Sequence, residues 1–246
     1  MIGYYVAILL HEWGHGVVAW ILEYKDSPFD VDYGGWLLLH VDEDVPYDSM
    51  MKAHQGVEAA FIAIAGLIVS LFLYMISWIS LSRIKHGFAL YSLFYWFSIW
   101  NMVAIFQYLA IQTFSVQGDV GRFTHGLNIS PWWVFIPGTS FVFFALYRFY
   151  GHFVPKAYVR LSIQSQWVKR LFLLLSLVIM FLLIYSHGYN PLSDQGMPLI
   201  GKFLAGFSIA LVPGIFFFCD PSRVWVQREI QKIQSLEISE HGLGLK

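Results

Sequence analysis

Between Glu58 and Asp194 the chain holds a single acidic residue, Asp119, set among long apolar stretches. That pattern limits the fold more than any other feature. Only 13% of the 246 residues are charged and 57% are hydrophobic, whereas soluble domains carry about 25% charged residues. Uncharged apolar runs of this length belong in a bilayer, where a helix needs roughly 20 residues to cross. Six segments meet that length: Ile2–Leu22, Val57–Leu81, Phe88–Phe114, Trp132–Tyr150, Val168–Ser186 and Leu199–Phe218. The expected fold is therefore an all-α multi-pass membrane protein with about six transmembrane helices. The long second and third segments are expected to tilt or bend. Pro213 is expected to kink the sixth or mark a local break.

Charge sets the expected orientation. Arg83 and Lys85 follow the second segment, Lys156, Arg160, Lys169 and Arg170 separate the fourth from the fifth, and Arg223, Arg228 and Lys232 fall in the tail. The alternate loops are poor in Lys and Arg, so the positive-inside rule puts both termini in the cytoplasm. The expected location is an integral membrane protein, in the cell (inner) membrane if the chain is bacterial. The first apolar segment lacks a basic n-region and a small-residue cleavage site, and reads as a retained membrane helix. A net charge of −1 implies no basic surface for nucleic acid. The single cysteine, Cys219, rules out an internal disulfide.

The first loop, Glu23 to Lys52, is acidic and contains "FDVDYGGWLLLHVDED". Two β-prone runs around Gly34-Gly35 predict a small hairpin after the first helix. Its second run, Trp36, Leu37, Leu38, Leu39, His40 and Val41, is too apolar for a solvated loop and is expected at the membrane surface or against the helices. The acidic set Asp30, Asp32, Asp42, Glu43, Asp44 and Asp48 lacks calcium-loop spacing and reads as a solvated loop face. In the tail, Val226, Ile230 and Ile233 share one helical face, which suits a helix over Ser222–Leu236 lying on the membrane surface. The organisation expected is a core over residues 1–127, three further membrane helices over 128–219 and an amphipathic tail over 220–246.

Within the first apolar segment stands "LLHEWGHGVV". Ionisable residues inside a span are rare and usually functional. "HEWGH" matches H-E-x-x-H, which on a helix turns both histidines to one face. His11 and His15 can thus meet one metal ion, with Glu12 beside them. Two imidazoles and an open position suit catalytic zinc, which acidifies its bound water. Glu12 would take the proton from that water and pass it to the leaving amine. The bland reading is two histidines bonded to backbone carbonyls, with Glu12 paired elsewhere.

Catalytic zinc commonly has a third protein ligand. Asp119, Glu58, His54 and His125 are the candidates near the spans. Gly118 and Gly121 around Asp119 would let backbone and metal approach closely. Equally, Asp119 reads as a loop aspartate near a helix N-terminus, partnered by Arg122.

These residues resemble the site-2 protease family of intramembrane zinc metalloproteases. "HEWGH" sits in an early membrane helix, a loop with "GG" follows, "IAIAGLIVS" is similar to the family's A-G-P-x-x-N segment, and "QGDVGRF" is similar to its L-D-G motif. The resemblance covers Ile2 to about Phe123 and implies that Asp119 is the third zinc ligand. It departs from the family where Leu67 and Ser70 replace the proline and asparagine, and where Val120 follows the aspartate. An upstream polar residue lining the family's site would correspond to Asn101 or Gln107. The activity implied is cleavage of a transmembrane segment of another membrane protein, as in regulated intramembrane proteolysis, with one Zn2+ and with the run Trp36–Val41 holding the unwound substrate by strand addition.

Two other classes are open. The prenyl-protein protease type takes a glutamate as third ligand, and no glutamate lies between Glu58 and Glu229. A non-proteolytic metal-binding or transport protein would need ionisable residues along other spans, and the last three segments have almost none. An inactive protease homologue would normally lose Glu12 or a ligand, and all are present.

Overall fold

The computed structural model describes residues 2–34, 41–84, 87–188 and 198–243. All six apolar segments are helical. They form α1 (Ile2–Ile21), α3 (Gly56–Arg83), α4 (Phe88–Phe106), α6 (Trp132–Arg148), α8 (Gln166–Gly188) and α9 (Leu199–Phe218). Four stretches are long and apolar enough to cross a membrane: Gly56–Arg83, Phe88–Ile111, Gln166–Ser186 and Leu199–Phe218. The other two differ for visible reasons. In α1 the residues His11, Glu12 and His15 dilute the apolar run, and α6 has 17 residues before a π-helical turn at Phe149–Phe153. Two expectations about shape are refined. α4 ends in a π-helical turn, Gln107–Ile111, rather than running straight to Phe114. α9 runs unbroken through Pro213.

α3 is the central post, packed on α1, α4 and α5 (Asp119–Gly126). Its buried side carries Ala59, Ala63, Gly66 and Ser70, a stripe of small residues that lets helices approach closely. The opposite side exposes Phe61, Ile68, Phe72, Met75 and Ile79. A soluble helix would put such residues inside, whereas lipid accepts them. One polar pair ties two of the helices: the Tyr95 hydroxyl of α4 lies 2.8 Å from Ser176 Oγ of α8.

The described residues do not support the predicted hairpin, whose turn and second run fall mostly outside them. Among the described residues there is no strand, only one antiparallel bridge between Asp32 and Asp42, closed by two backbone hydrogen bonds of 2.9 and 3.0 Å. Trp36, Leu37, Leu38, Leu39 and His40 lie outside the described residues; Val41 adjoins the bridge and is partly buried. A short helix the sequence did not suggest, α2 (Tyr47–Lys52), follows.

The chain continues from the π-helical turn at Phe149–Phe153 into α7 (Val154–Arg160). The tail forms α10 (Val224–Leu243), longer than predicted. Its apolar face does not lie free: Val226, Ile230 and Ile233 are buried, and α10 packs on α7. Arg170 at the start of α8 anchors the turn before α10, its guanidinium donating to the Asp220 carboxylate at 2.8 and 3.3 Å.

Candidate metal centre

The spacing of four residues puts His11 and His15 on one face of α1, and that face meets α3. Gly66 makes the meeting possible: a Cβ built there would stand 2.2 Å from His15 Nε2. His15 Nδ1 is 2.8 Å from the carbonyl oxygen of Ile62, which can only accept, so Nδ1 carries the proton. In the neutral ring, Nε2 then presents a lone pair. His11 Nδ1 lies 2.9 Å from Ser70 Oγ, and the His11 ring stacks on Tyr108 of the π-helical turn, 5.0 Å between centroids. Both imidazoles are thus fixed from behind, as metal-ligating histidines are.

Asp119 arrives from α5, which packs against α3. Gly121 sets the depth of its seat, since a Cβ there would fall 1.5 Å from the Ser115 carbonyl oxygen. Asp119 Oδ2 stands 3.2 Å from His11 Nε2 and 3.3 Å from His15 Nε2, and the two Nε2 atoms are 3.3 Å apart. All three side chains are buried. A tetrahedral ion with bonds of about 2.0 Å separates its ligand atoms by about 3.3 Å. The triangle therefore has the size of one tetrahedral face, and this buried His-His-Asp group could hold a metal ion.

The donor set supports the same conclusion. At 1% exposure, His15 keeps its Nε2 lone pair away from water and directs it at a carboxylate oxygen. Two lone pairs facing each other in a dry site repel unless a cation or a proton lies between them. The site thus favours positive charge at its centre.

Glu12, one residue from His11, is buried beside the triad. The structure also adds a residue that the acidic loop concealed. Glu43 is buried rather than solvated, close enough to Glu12 for the two carboxyls to interact. Its carboxylate accepts from Arg122 at 3.4 Å, and that guanidinium lies 4.0 Å from the centre of the Tyr47 ring. The Lys25 ammonium donates to the backbone oxygens of Glu43 and Asp30. Arg122 therefore serves Glu43, and Asp119 is left to the histidines.

The other candidates fall elsewhere. His54 and His125 are exposed and Glu58 is half-buried, and none joins the cluster. Asn101 is buried and donates back to the Phe97 carbonyl at 2.8 Å, and Gln107 is buried in the π-helical turn. Among the described residues neither hydrogen-bonds to His11, His15 or Asp119. Of the proposed substrate run Trp36–Val41, only Val41 is described. Comparison of the chain with protein-family models, with curated proteins and with solved structures finds no match.

Proposed function

We propose that this chain is an intramembrane zinc metalloprotease, a divergent member of the site-2 protease family, which hydrolyses peptide bonds in or near transmembrane segments of other membrane proteins. The observation that carries the reading is the triangle of His11 Nε2, His15 Nε2 and Asp119 Oδ2, with edges of 3.2 to 3.3 Å and Glu12 next to it. Two imidazoles and a carboxylate suit zinc among the common divalent ions. A zinc ion held there supplies Lewis-acid chemistry. Glu12 accepts the proton of the attacking water and returns it to the leaving amine. Ser70 and the Ile62 carbonyl keep the imidazoles aimed, and the surrounding helices keep lipid and bulk water out.

In this reading α1 and the helix from Trp132 onward also cross the membrane, giving six spans. The polar face of α1 is tolerated because it points at protein and metal rather than at lipid. A substrate helix has its carbonyls hydrogen-bonded and must unwind before attack. We assign its capture to the run Trp36–Val41, whose flanks Asp32 and Asp42 are bridged beside Glu43. Replacing that run with an unrelated loop should abolish cleavage while zinc is retained.

The deciding experiment uses purified full-length chain. His11→Ala and Asp119→Ala should lose zinc, whereas Glu12→Gln should keep zinc and lose cleavage of a model membrane substrate. Full zinc occupancy in Asp119→Ala would overturn the ligand assignment. Activity in Glu12→Gln would overturn the chemistry.

A further inference from the structure

Away from the metal centre, a cavity of about 910 Å3 opens between α6, α9 and α10. That is at the upper end of the roughly 300–1,000 Å3 typical of small-molecule sites. Its walls are apolar, among them Phe143 of α6, Leu211 and Ile215 of α9, and Trp225 of α10. Two glycines mark its open space independently: a Cβ added to Gly151 or to Gly214 would meet nothing within 4 Å. Elsewhere in the helix packing an added Cβ collides, as at Gly66 or Gly121.

The polar groups of the cavity carry an excess of positive charge. Arg148, His152, Glu229 and Lys232 all line it. The one carboxylate among them is taken, since His152 Nδ1 lies 2.7 Å from Glu229 Oε1. Among the described residues, Arg148 and Lys232 have no carboxylate partner. Arg148 rests 5.7 Å from the Trp78 ring, an arrangement that leaves its charge unneutralised. Cys219, also in the wall, is no competing reactive group, because burial pushes its thiol up to about 12.

An apolar cavity bordered by two uncompensated cations fits an amphiphile with an anionic head. In a chain with four helices long and apolar enough to cross a membrane, the amphiphile within reach is a lipid of that membrane. We propose that this cavity is a binding site for one phospholipid with an acidic headgroup, whose phosphate meets Arg148 and Lys232 and whose acyl chains fill the space beside Gly151 and Gly214. Basic pockets between membrane helices select acidic headgroups by this charge matching. The inference is independent of the proposed protease activity.

The test uses purified full-length chain in neutral detergent, with native mass spectrometry and thermal unfolding as readouts. Phosphatidylglycerol should be retained at one molecule per chain, preferred over phosphatidylcholine by roughly thirty-fold for two cations near the headgroup. The double variant R148Q/K232Q, or K232Q alone should the double variant not fold, should erase or weaken that preference. Filling the cavity with Gly214→Phe, or with Gly151→Phe as an independent variant, should remove the bound lipid from folded protein. Three results would overturn the proposal: equal retention of both lipids, lipid retention unchanged in a folded cavity-filled variant, or the same stabilisation from inorganic phosphate alone. Zinc content and cleavage are not expected to change in any of these variants.

Discussion

His15 Nδ1 donates to the carbonyl of Ile62 at 2.8 Å, and this one bond decides what the opposite side of the ring can do. It fixes the proton on Nδ1 and leaves the Nε2 lone pair 3.3 Å from Asp119 Oδ2. The two acceptors are held together by α1 and α5, and a cation or a proton between them relieves their repulsion. Chelation should therefore destabilise the fold as well as stop any chemistry. We expect a clear fall in Tm after removal of divalent metal, reversed by zinc at stoichiometric concentration, because a ligand bound only by the native state stabilises it. An unchanged Tm would mean that the site satisfies itself with a proton.

Ser70 is the residue behind His11, with its Oγ 2.9 Å from Nδ1. Loss of such an outer partner typically costs about 10–100-fold in metal affinity. Ser70→Ala should lower zinc affinity within that range with little effect on Tm of the metal-loaded protein. Competition with a chelator of known affinity measures it. Ser70→Thr keeps the hydroxyl and should restore much of the loss.

Gly66→Ala is the steric counterpart. Its Cβ would enter the space of His15 Nε2 at 2.2 Å, with the ring carbons Cδ2 and Cε1 at 2.7 Å. Neither helix can retreat cheaply, since α1 and α3 are already close here: a Cβ at Gly14 would lie 3.2 Å from the Gly66 Cα. The imidazole must rotate away, breaking its bond to the Ile62 carbonyl. Zinc should be lost while the chain remains helical and inserted, which metal analysis and circular dichroism together would show.

Part of this site is legible in the sequence. The four-residue spacing of His11 and His15 is a property of the helix, and the apolar runs fixed where helices form. Asp119 was only half legible. Its pairing with histidines 108 and 104 residues earlier depends on α5 packing against α3, which local pattern does not encode. Glu43 was hidden among Asp30, Asp32, Asp42, Asp44 and Asp48, because nothing local separates a carboxylate that folds inward from those left in water. Its distinguishing partner, Arg122, lies 79 residues away. The same physics explains the tail: the stripe of Val226, Ile230 and Ile233 is evident in sequence, but whether it meets lipid or protein is decided by α7.

Arg122 joins the loop after α1 to the helix that carries Asp119. It is 28% exposed and Glu43 is 8% exposed, so the pair is shielded on one side only. Arg122→Ala leaves a nearly buried carboxylate without its donor and should cost about 1–3 kcal/mol. Adding Glu43→Gln to that variant should recover part of the loss, because the uncompensated charge is gone. A double-mutant cycle on Tm of the metal-loaded protein checks this. Simple additivity of the two changes would sever the proposed link between them.

Acid should loosen the turn before α10 in a pH range set by one carboxylate, Asp220. Burial raises the Asp220 carboxyl, but the hydrogen bonds from Arg170 and Ser222 and the Arg170 charge together more than offset it, and its pKa falls from 3.8 to about 2. A carboxyl lowered by folding contributes stability that is complete above the unfolded value and disappears as pH falls through the folded one. The Arg170–Asp220 contribution should thus be intact above pH 4 and vanish between about 4 and 2. Arg170→Gln removes the guanidinium at every pH. Wild type and variant should therefore differ in Tm at pH 6 and converge near pH 2. The comparison is made on metal-free protein, so that acid release of metal from the histidines does not contribute. A difference that persists undiminished at pH 2 would show that Arg170 stabilises the turn through packing rather than through the Asp220 carboxylate.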